Sequence, residues 1–277
     1  MEHRVQRPGC GTIGGAENQT SGRATFWRKR LQQYAHTGWS DPVIYAYDQR
    51  ERLAFVKRMV KKEAVTRGRA LDFGCGTGDF SRLLLSLGFE VCGYDPYVRP
   101  AIHANGFTYA EGYDQIRVAP GSADLALSVT TLDHILDDNE ARRALALIST
   151  CLKANGVLLM LEYALDCDAD RLRLGLKNDY QSFRTLARWT ELLRQNSLCV
   201  TGVTAVSHPQ FCPSRGYSAY ARSPLWRVRR RLVRWRQIVD LIDILLQWQA
   251  ALLVSKSPSI GAPGNSSPLK LIRCTSG

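Results

Sequence analysis

The sequence predicts an α/β fold, a doubly wound sheet that is mainly parallel and carries an antiparallel last strand. Three observations point there. From Arg69 onward, short apolar runs alternate with helically spaced ones, the pattern of βαβ units. The run Ala70-Leu-Asp-Phe-Gly-Cys-Gly-Thr-Gly-Asp-Phe80 joins an apolar strand to a glycine turn and then a helix. With 277 residues, 45% of them apolar, the chain is long enough for one large domain with extensions.

Residues 1–22, rich in Gly, Thr and Asn without periodicity, read as a flexible tail, because they cannot bury enough apolar surface to offset ordering entropy. Residues 23–49 are dense in Trp and Tyr and broken by Gly38 and Pro42, which suggests a cap or lid. Leu53, Phe55, Val56, Met59, Val60 and Val65 then fall near helical spacing, opening a domain expected over 50–222. Within it, strands are placed near 69–73, 89–94, 107–110, 124–129 and 156–163, with helices near 79–87, 97–104 and 138–153. The last of these has Asp137, Asp138 and Glu140 about its first turn, where a helix N-terminus favours negative charge. A helix near 181–195 leads into 198–211 and 216–224, read as an antiparallel pair closing the sheet.

Beyond that pair, Leu225, Val228, Leu232, Trp235, Val239, Ile242, Leu246 and Leu253 follow a heptad seam on a basic amphipathic helix over 223–254. Such a helix suits an anionic membrane surface, a partner protein, a homodimer or docking on its own domain. The Ser-, Pro- and Gly-rich residues 255–277 are expected to be disordered.

The net charge is +12, and Arg222 with the six arginines of 227–236 supplies seven of it. A charge so concentrated makes nucleic acid the less favoured partner. Eight cysteines without a C-x-x-C pair, and only five histidines, argue against a zinc module, and no metal site is expected. No signal-like apolar segment and no run of ~18 apolar residues is present, so a cytoplasmic protein is expected, peripheral to a membrane if the basic helix docks there.

Gly74, Gly76 and Gly78 let the backbone turn tightly and approach a ligand at a helix N-terminus. Asp95, at the tip of the next strand, is placed to accept hydrogen bonds from ribose hydroxyls. A dinucleotide fingerprint would need a third glycine where Asp79 stands, and no Gly-Lys-Ser/Thr of a P-loop follows.

The segment LDFGCGTG at 71–78 resembles the first motif of class I S-adenosylmethionine-dependent methyltransferases, and GSADLALSVTTLDHIL at 121–136 and LKANGVLLMLEYA at 152–164 are similar to that family's fourth and fifth strands. The resemblance covers roughly residues 50–222. It implies a Rossmann-like fold and S-adenosyl-L-methionine as cofactor, with S-adenosyl-L-homocysteine as product. Asp72 would lie near the methionine end, the three glycines would pass under the cofactor, and Asp95 would bind its ribose. The family's acid at the third strand tip falls on Gly112, so Tyr113 or Asp114 is the candidate adenine contact.

Thr130, Thr131, Asp133, His134, Glu162 and Tyr163 follow the fourth and fifth strands and face the reacting centre in such folds. His134, with an ordinary pKa of ~6.5, is the candidate base; Glu162 is a second catalytic candidate. Thr130 is assigned to the cofactor, and Trp39, Tyr45, Tyr47, Asp133 and Tyr163 to the acceptor. The function expected is O-methylation of a small molecule or glycan in a biosynthetic pathway. An RNA methyltransferase and a non-catalytic interaction module are the alternatives.

Overall fold

The structure, a computed structural model, describes residues 14–63, 67–174, 176, 180–206 and 268–276. Two helices come first, α1 (Gly14–Tyr34) and α2 (Pro42–Lys62). Helix α2 starts where Pro42 occupies the first helical position and the Asp41 carboxylate accepts the Ile44 amide at 3.1 Å. The alternating core follows as β1 (Gly68–Phe73), α3 (Asp79–Ser86), β2 (Phe89–Tyr94), β3 (Phe107–Ala110), β4 (Ala123–Val129), α4 (Asp138–Cys151) and β5 (Leu152–Tyr163). A short α5 (Ala169–Arg173), then α6 (Leu186–Arg194), β6 (Leu198–Ala205) and β7 (Leu269–Ser276) complete the described chain.

Among the described residues, seven strands form one sheet in the order β3-β2-β1-β4-β5-β7-β6. Strands β1 to β5 pair in parallel, and β7 lies antiparallel between β5 and β6. The fold class read from the sequence is the one observed. Each sheet face is buried against helices, which is why the central strands read as continuous apolar runs. Leu71, Phe73, Ile148, Trp189 and Leu192 pack on the face covered by α4 and α6. Val56, Val60, Leu84, Leu125 and Leu271 pack on the face covered by α2 and α3. Trp189 is fully buried, and its indole N–H donates to the Tyr163 carbonyl at 2.8 Å, so no polar atom is stranded.

Four expectations are corrected. First, α1 begins at Gly14, inside the stretch read as a tail, while residues 1–13 lie outside the described residues. Once a helix exists, each further residue adds one hydrogen bond, so it can extend into sequence that lacks an apolar stripe. Second, no helix forms over 97–104. Pro100 cannot donate within a helix, and Asp95 instead accepts the amides of Tyr97 and Val98, turning the chain. Third, of the pair expected to close the sheet, 198–211 contains β6, whereas 216–224 lies outside the described residues. Fourth, the stretch expected to be disordered ends in β7, with Leu269, Leu271, Ile272 and Cys274 buried. Its composition is dominated by Ser, Pro and Gly before residue 269, which masks the apolar Leu-Lys-Leu-Ile strand that follows.

Strand β7 also moves the basic segment within the chain. Residues 223–254 lie outside the described residues, but they are inserted between β6 and β7 and do not trail from the end. The roots of the insertion adjoin, since the Val206 amide donates to the Leu269 carbonyl at 2.9 Å. Both sit at the carboxyl end of β5, where Leu269 pairs with Tyr163 and the Ala164 amide donates to the Pro268 carbonyl at 2.8 Å.

Candidate active site

A cavity of about 520 Å³ opens at the carboxyl ends of β1, β2, β4 and β5, the place where open α/β sheets bind ligands. Its floor is the loop from Gly74 to Asp79. Gly74, Gly76 and Gly78 have φ of 80°, 50° and 85°, the left-handed region that glycine enters without strain. A Cβ on Gly74 would lie 2.1 Å from the Thr131 side chain, and one on Gly78 would lie 2.6 Å from Ile102, so the glycines admit neighbouring chain as well as ligand.

Asp95 pins this loop. One carboxylate oxygen accepts the amides of Tyr97 and Val98, each at 2.9 Å, and the other accepts the Gly76 amide at 3.0 Å. A carboxylate has about four lone-pair directions, so one remains for a ligand hydroxyl. Burial raises the Asp95 pKa while these three amides pull it back. Asp72 does not reach the cavity. It is buried beneath the loop, accepts the Ser81 hydroxyl at 2.6 Å, and is pushed up to about 7 by burial. The resemblance placed Asp72 near the methionine end; its carboxylate ties β1 to α3 through Ser81.

Of the adenine candidates, Tyr113 lines the cavity in contact with Tyr94, at a ring-centroid distance of 5.1 Å. Asp114 is exposed and lines no part of it, because the tight helical turn Tyr113–Gln115 rotates each successive side chain by about 120°, away from Tyr113.

The opposite wall is the segment after β4. Thr130 has φ 47°, a strained value for a β-branched residue, and its hydroxyl accepts from Arg52 at 3.3 Å. Glu162 holds the turn in place from beneath. One of its oxygens accepts the Ser128 hydroxyl at 2.9 Å and the Thr131 and Leu132 amides at 3.0 Å each; the other accepts the Asp133 amide at 3.2 Å. Glu162 and Asp133 are both fully buried, and neither lines the cavity. Glu162, expected as a catalytic group, and Asp133, expected to meet the acceptor, therefore stand beneath the turn, with Glu162 holding its amides in place.

Burial, with Asp133 close by, raises the Glu162 pKa strongly. The fold thus holds a proton that the unfolded chain releases in the ordinary carboxylate range, and the associated stability disappears as pH rises through the raised value. The melting temperature is expected to fall between about pH 5 and about pH 8. Glu162→Gln, which keeps the acceptor toward Ser128, Thr131 and Leu132, is expected to reduce that slope. An identical slope in the variant would show that another group carries it.

His134 faces the cavity. Its Nδ1 lies 2.7 Å from the Tyr180 carbonyl, and a carbonyl only accepts, so the proton resides on Nδ1 and Nε2 keeps its lone pair. Burial holds His134 below its ordinary pKa, hence neutral at pH 7. Nε2 lies 3.8 Å from Oδ1 of Asp133, an oxygen with no hydrogen-bond partner among the described residues, while Oδ2 accepts from Gln181 at 3.0 Å.

The cap completes the enclosure. Trp39 lines the cavity and donates from its indole to Asp48 at 2.8 Å, and Tyr45 lines it and donates to Asp79 at 3.1 Å. Tyr163 lines it edge-on to Phe183. Tyr47 is buried, since it lies two helical positions after Tyr45 and one before Asp48 and so points to another side of α2. Sequence reading passed over Arg23, Phe26, Trp27 and Arg30, all on the cavity wall. Their steps of three and four, continuing to Tyr34, were the available signal. Gln181 and Phe183 arrive on an irregular segment with no such pattern. Among the described residues, no group of three or more His, Cys, Asp or Glu is placed to hold a metal ion.

This geometry suits a nucleoside-bearing cofactor and an adjoining acceptor. Comparison with known proteins agrees. The profile of a family described as a methyltransferase domain matches residues 45–201, more than half of the chain. The chain belongs to that family. It is a class I S-adenosylmethionine-dependent methyltransferase, and S-adenosyl-L-methionine is its cofactor. No curated protein matches it by sequence. Similar solved structures include a protein described as a sarcosine dimethylglycine methyltransferase from Galdieria sulphuraria, at 14% identity and TM-score 0.54, covering 90% of this chain and 97% of that one. Another is the 1,6-didemethyltoxoflavin-N1-methyltransferase of Burkholderia thailandensis with bound S-adenosylhomocysteine, at 14% identity and TM-score 0.53, covering 74% and 91%. A third, phosphoethanolamine N-methyltransferase 2 of Haemonchus contortus, gives 16% and 0.51, covering 90% and 60%. At such identities the likeness is one of fold. Among the described residues, no helix is long and apolar enough to cross a membrane.

Proposed function

We propose that the enzyme methylates an oxygen nucleophile of a small molecule or glycan, with His134 as the general base. The observation that carries this reading is the hydrogen bond between His134 Nδ1 and the Tyr180 carbonyl, which leaves Nε2 free to take a proton. The cofactor supplies an electrophilic methyl group on a sulfonium. The chain's own task is to hold the acceptor in line and remove its proton. A proton arriving on Nε2 makes an imidazolium 3.8 Å from Asp133, which stabilises it. Trp27, Trp39 and Tyr163 wall the acceptor space and exclude water from it.

A screen of glycan, RNA and small-molecule pools with methyl-labelled cofactor identifies the acceptor class. With the acceptor in hand, His134→Ala is expected to lower kcat by about 10²–10⁴-fold while leaving cofactor affinity unchanged. Undiminished turnover would remove His134 as base and favour an amine, whose nitrogen needs no base once neutral. The inserted basic segment 225–254 is proposed to dock on an anionic membrane surface, an assignment resting on its arginines, tryptophans and heptad seam.

A further inference from the structure

Buried polar atoms without a partner are rare in folded proteins. Among the described residues they are the Nε atoms of Arg23 and Arg30, Nδ1 of His36 and Oδ1 of Asp133, together with Arg52 Nε, which makes no aligned hydrogen bond but lies 2.9 Å from the Asp48 carboxylate. The three arginines line this cavity, and His36 adjoins it, stacked on the lining residue Tyr45 at a centroid distance of 3.5 Å. Three nitrogens without any partner, Arg23 Nε, Arg30 Nε and His36 Nδ1, thus gather around this space.

The lining carboxylates do not satisfy them equally. Arg52 forms an ion pair with Asp48 at 2.9 Å, and Arg23 forms one with Glu140 at 3.4 Å. Asp79 is engaged by Tyr45, Gln49 and Arg82, and Asp95 by three backbone amides. Among the described residues Arg30 has no carboxylate partner. Its guanidinium donates to the Gly38 carbonyl and lies against the rings of Phe26 and Tyr34, 5.6 and 5.4 Å from their centroids. It also stands near the proposed base, since Phe26 stacks on the Tyr180 ring at 4.4 Å and the Tyr180 carbonyl accepts the hydrogen bond from His134 Nδ1. A half-buried guanidinium that lines the cavity without a carboxylate partner among the described residues fits a phosphate or carboxylate, the groups arginine recognises best.

We propose that Arg30, seconded by Arg23, binds an anionic group of the acceptor, so that the substrate is an acidic small molecule bearing a phosphate or a carboxylate. The inference rests on the reading of this cavity as an acceptor site but not on the identity of the base. A second source of the same chemistry is the carboxylate of the cofactor's methionine part, and the test separates the two. The full-length protein, saturated with S-adenosylhomocysteine, is titrated with inorganic phosphate and separately with acetate, following tryptophan fluorescence, to which Trp27 and Trp39 on the cavity wall report. Saturable binding of at least one anion to the loaded protein is expected. Arg30→Met should weaken it at least tenfold and Arg23→Met to a smaller degree. S-adenosylhomocysteine affinity should stay within twofold in both, which also shows that the variants fold. His134→Ala should leave anion binding intact, whatever it does to turnover. Anion binding confined to the unloaded protein, with Arg30→Met weakening S-adenosylhomocysteine tenfold, would assign the arginines to the cofactor and overturn the proposal. So would anion binding that Arg30→Met leaves unchanged.

Discussion

A chain ending after Arg222 is expected not to fold, whereas a chain in which residues 207–267 are replaced by a four-residue turn is expected to fold cooperatively and bind S-adenosyl-L-methionine. The difference is β7. It hydrogen-bonds on both sides, to β5 from Val157 to Tyr163 and to β6 from Leu198 to Ala205. Its Leu269, Leu271 and Ile272 are buried, each worth about 1.5–3 kcal/mol, so the three together approach the ~5–15 kcal/mol by which a whole domain is stable. Arg273 adds an ion pair at 2.7 Å with Glu63 beyond the end of α2, and Lys270 pairs with Asp166. Truncation would also expose two unpaired strand edges and invite aggregation. Excision is tolerable because Val206 and Leu269 already hydrogen-bond across the gap, and short hairpin loops bridge such ends readily. Circular dichroism, thermal melting and calorimetry with the cofactor decide it. A truncated protein with a sharp melt would refute the role given to β7, and an unfolded excision variant would show that the inserted segment packs on the core. Liposome sedimentation of the excision variant against the full chain then tests the membrane assignment.

What the sequence made legible was what rests on local chemistry. Strand, glycines and helix at 70–86, and the acid at Asp95, each announce themselves within a few residues, because strained turns and helix starts admit few residue types. Tertiary decisions were not legible. Nothing in Glu162's neighbourhood distinguishes a carboxylate pointing at a substrate from one feeding on three backbone amides and a hydroxyl beneath the loop. Tyr113 and Asp114 differ by one position on a short turn, and only the turn's direction chooses between them. Strand β7 lies about 60 residues beyond its partner β6 in sequence, so no short-range pattern pairs them. Helix α1 is an intermediate case, since the spacing of Arg23, Phe26, Arg30 and Tyr34 marks a face but not what that face covers.

Gly74→Ala is expected to weaken cofactor binding by about 100-fold, or about 2.7 kcal/mol by the usual conversion. Two costs combine at this position. An L-residue at φ 80° costs about 1–2 kcal/mol by itself. The new Cβ would also lie 2.1 Å from both Cγ2 and Oγ1 of Thr131, far inside van der Waals contact. Thr131 cannot simply retreat, because its amide is held by Glu162 at 3.0 Å and its hydroxyl by the Val129 carbonyl at 3.2 Å. Relief must come from shifting the glycine loop or the 130–134 segment, and these two walls carry Gly76, Thr130 and His134 into the cavity. Gly121→Ala separates the two costs, since Gly121 has φ 65° but its Cβ would meet nothing within 4 Å. That variant should lose about 1–2 kcal/mol of stability and keep full cofactor affinity. Calorimetry on both variants reads the outcome. If Gly74→Ala bound the cofactor as tightly as Gly121→Ala, the glycine loop would be a turn that happens to face the cavity, and the cofactor would have to be held from the Asp95 and Tyr113 side alone.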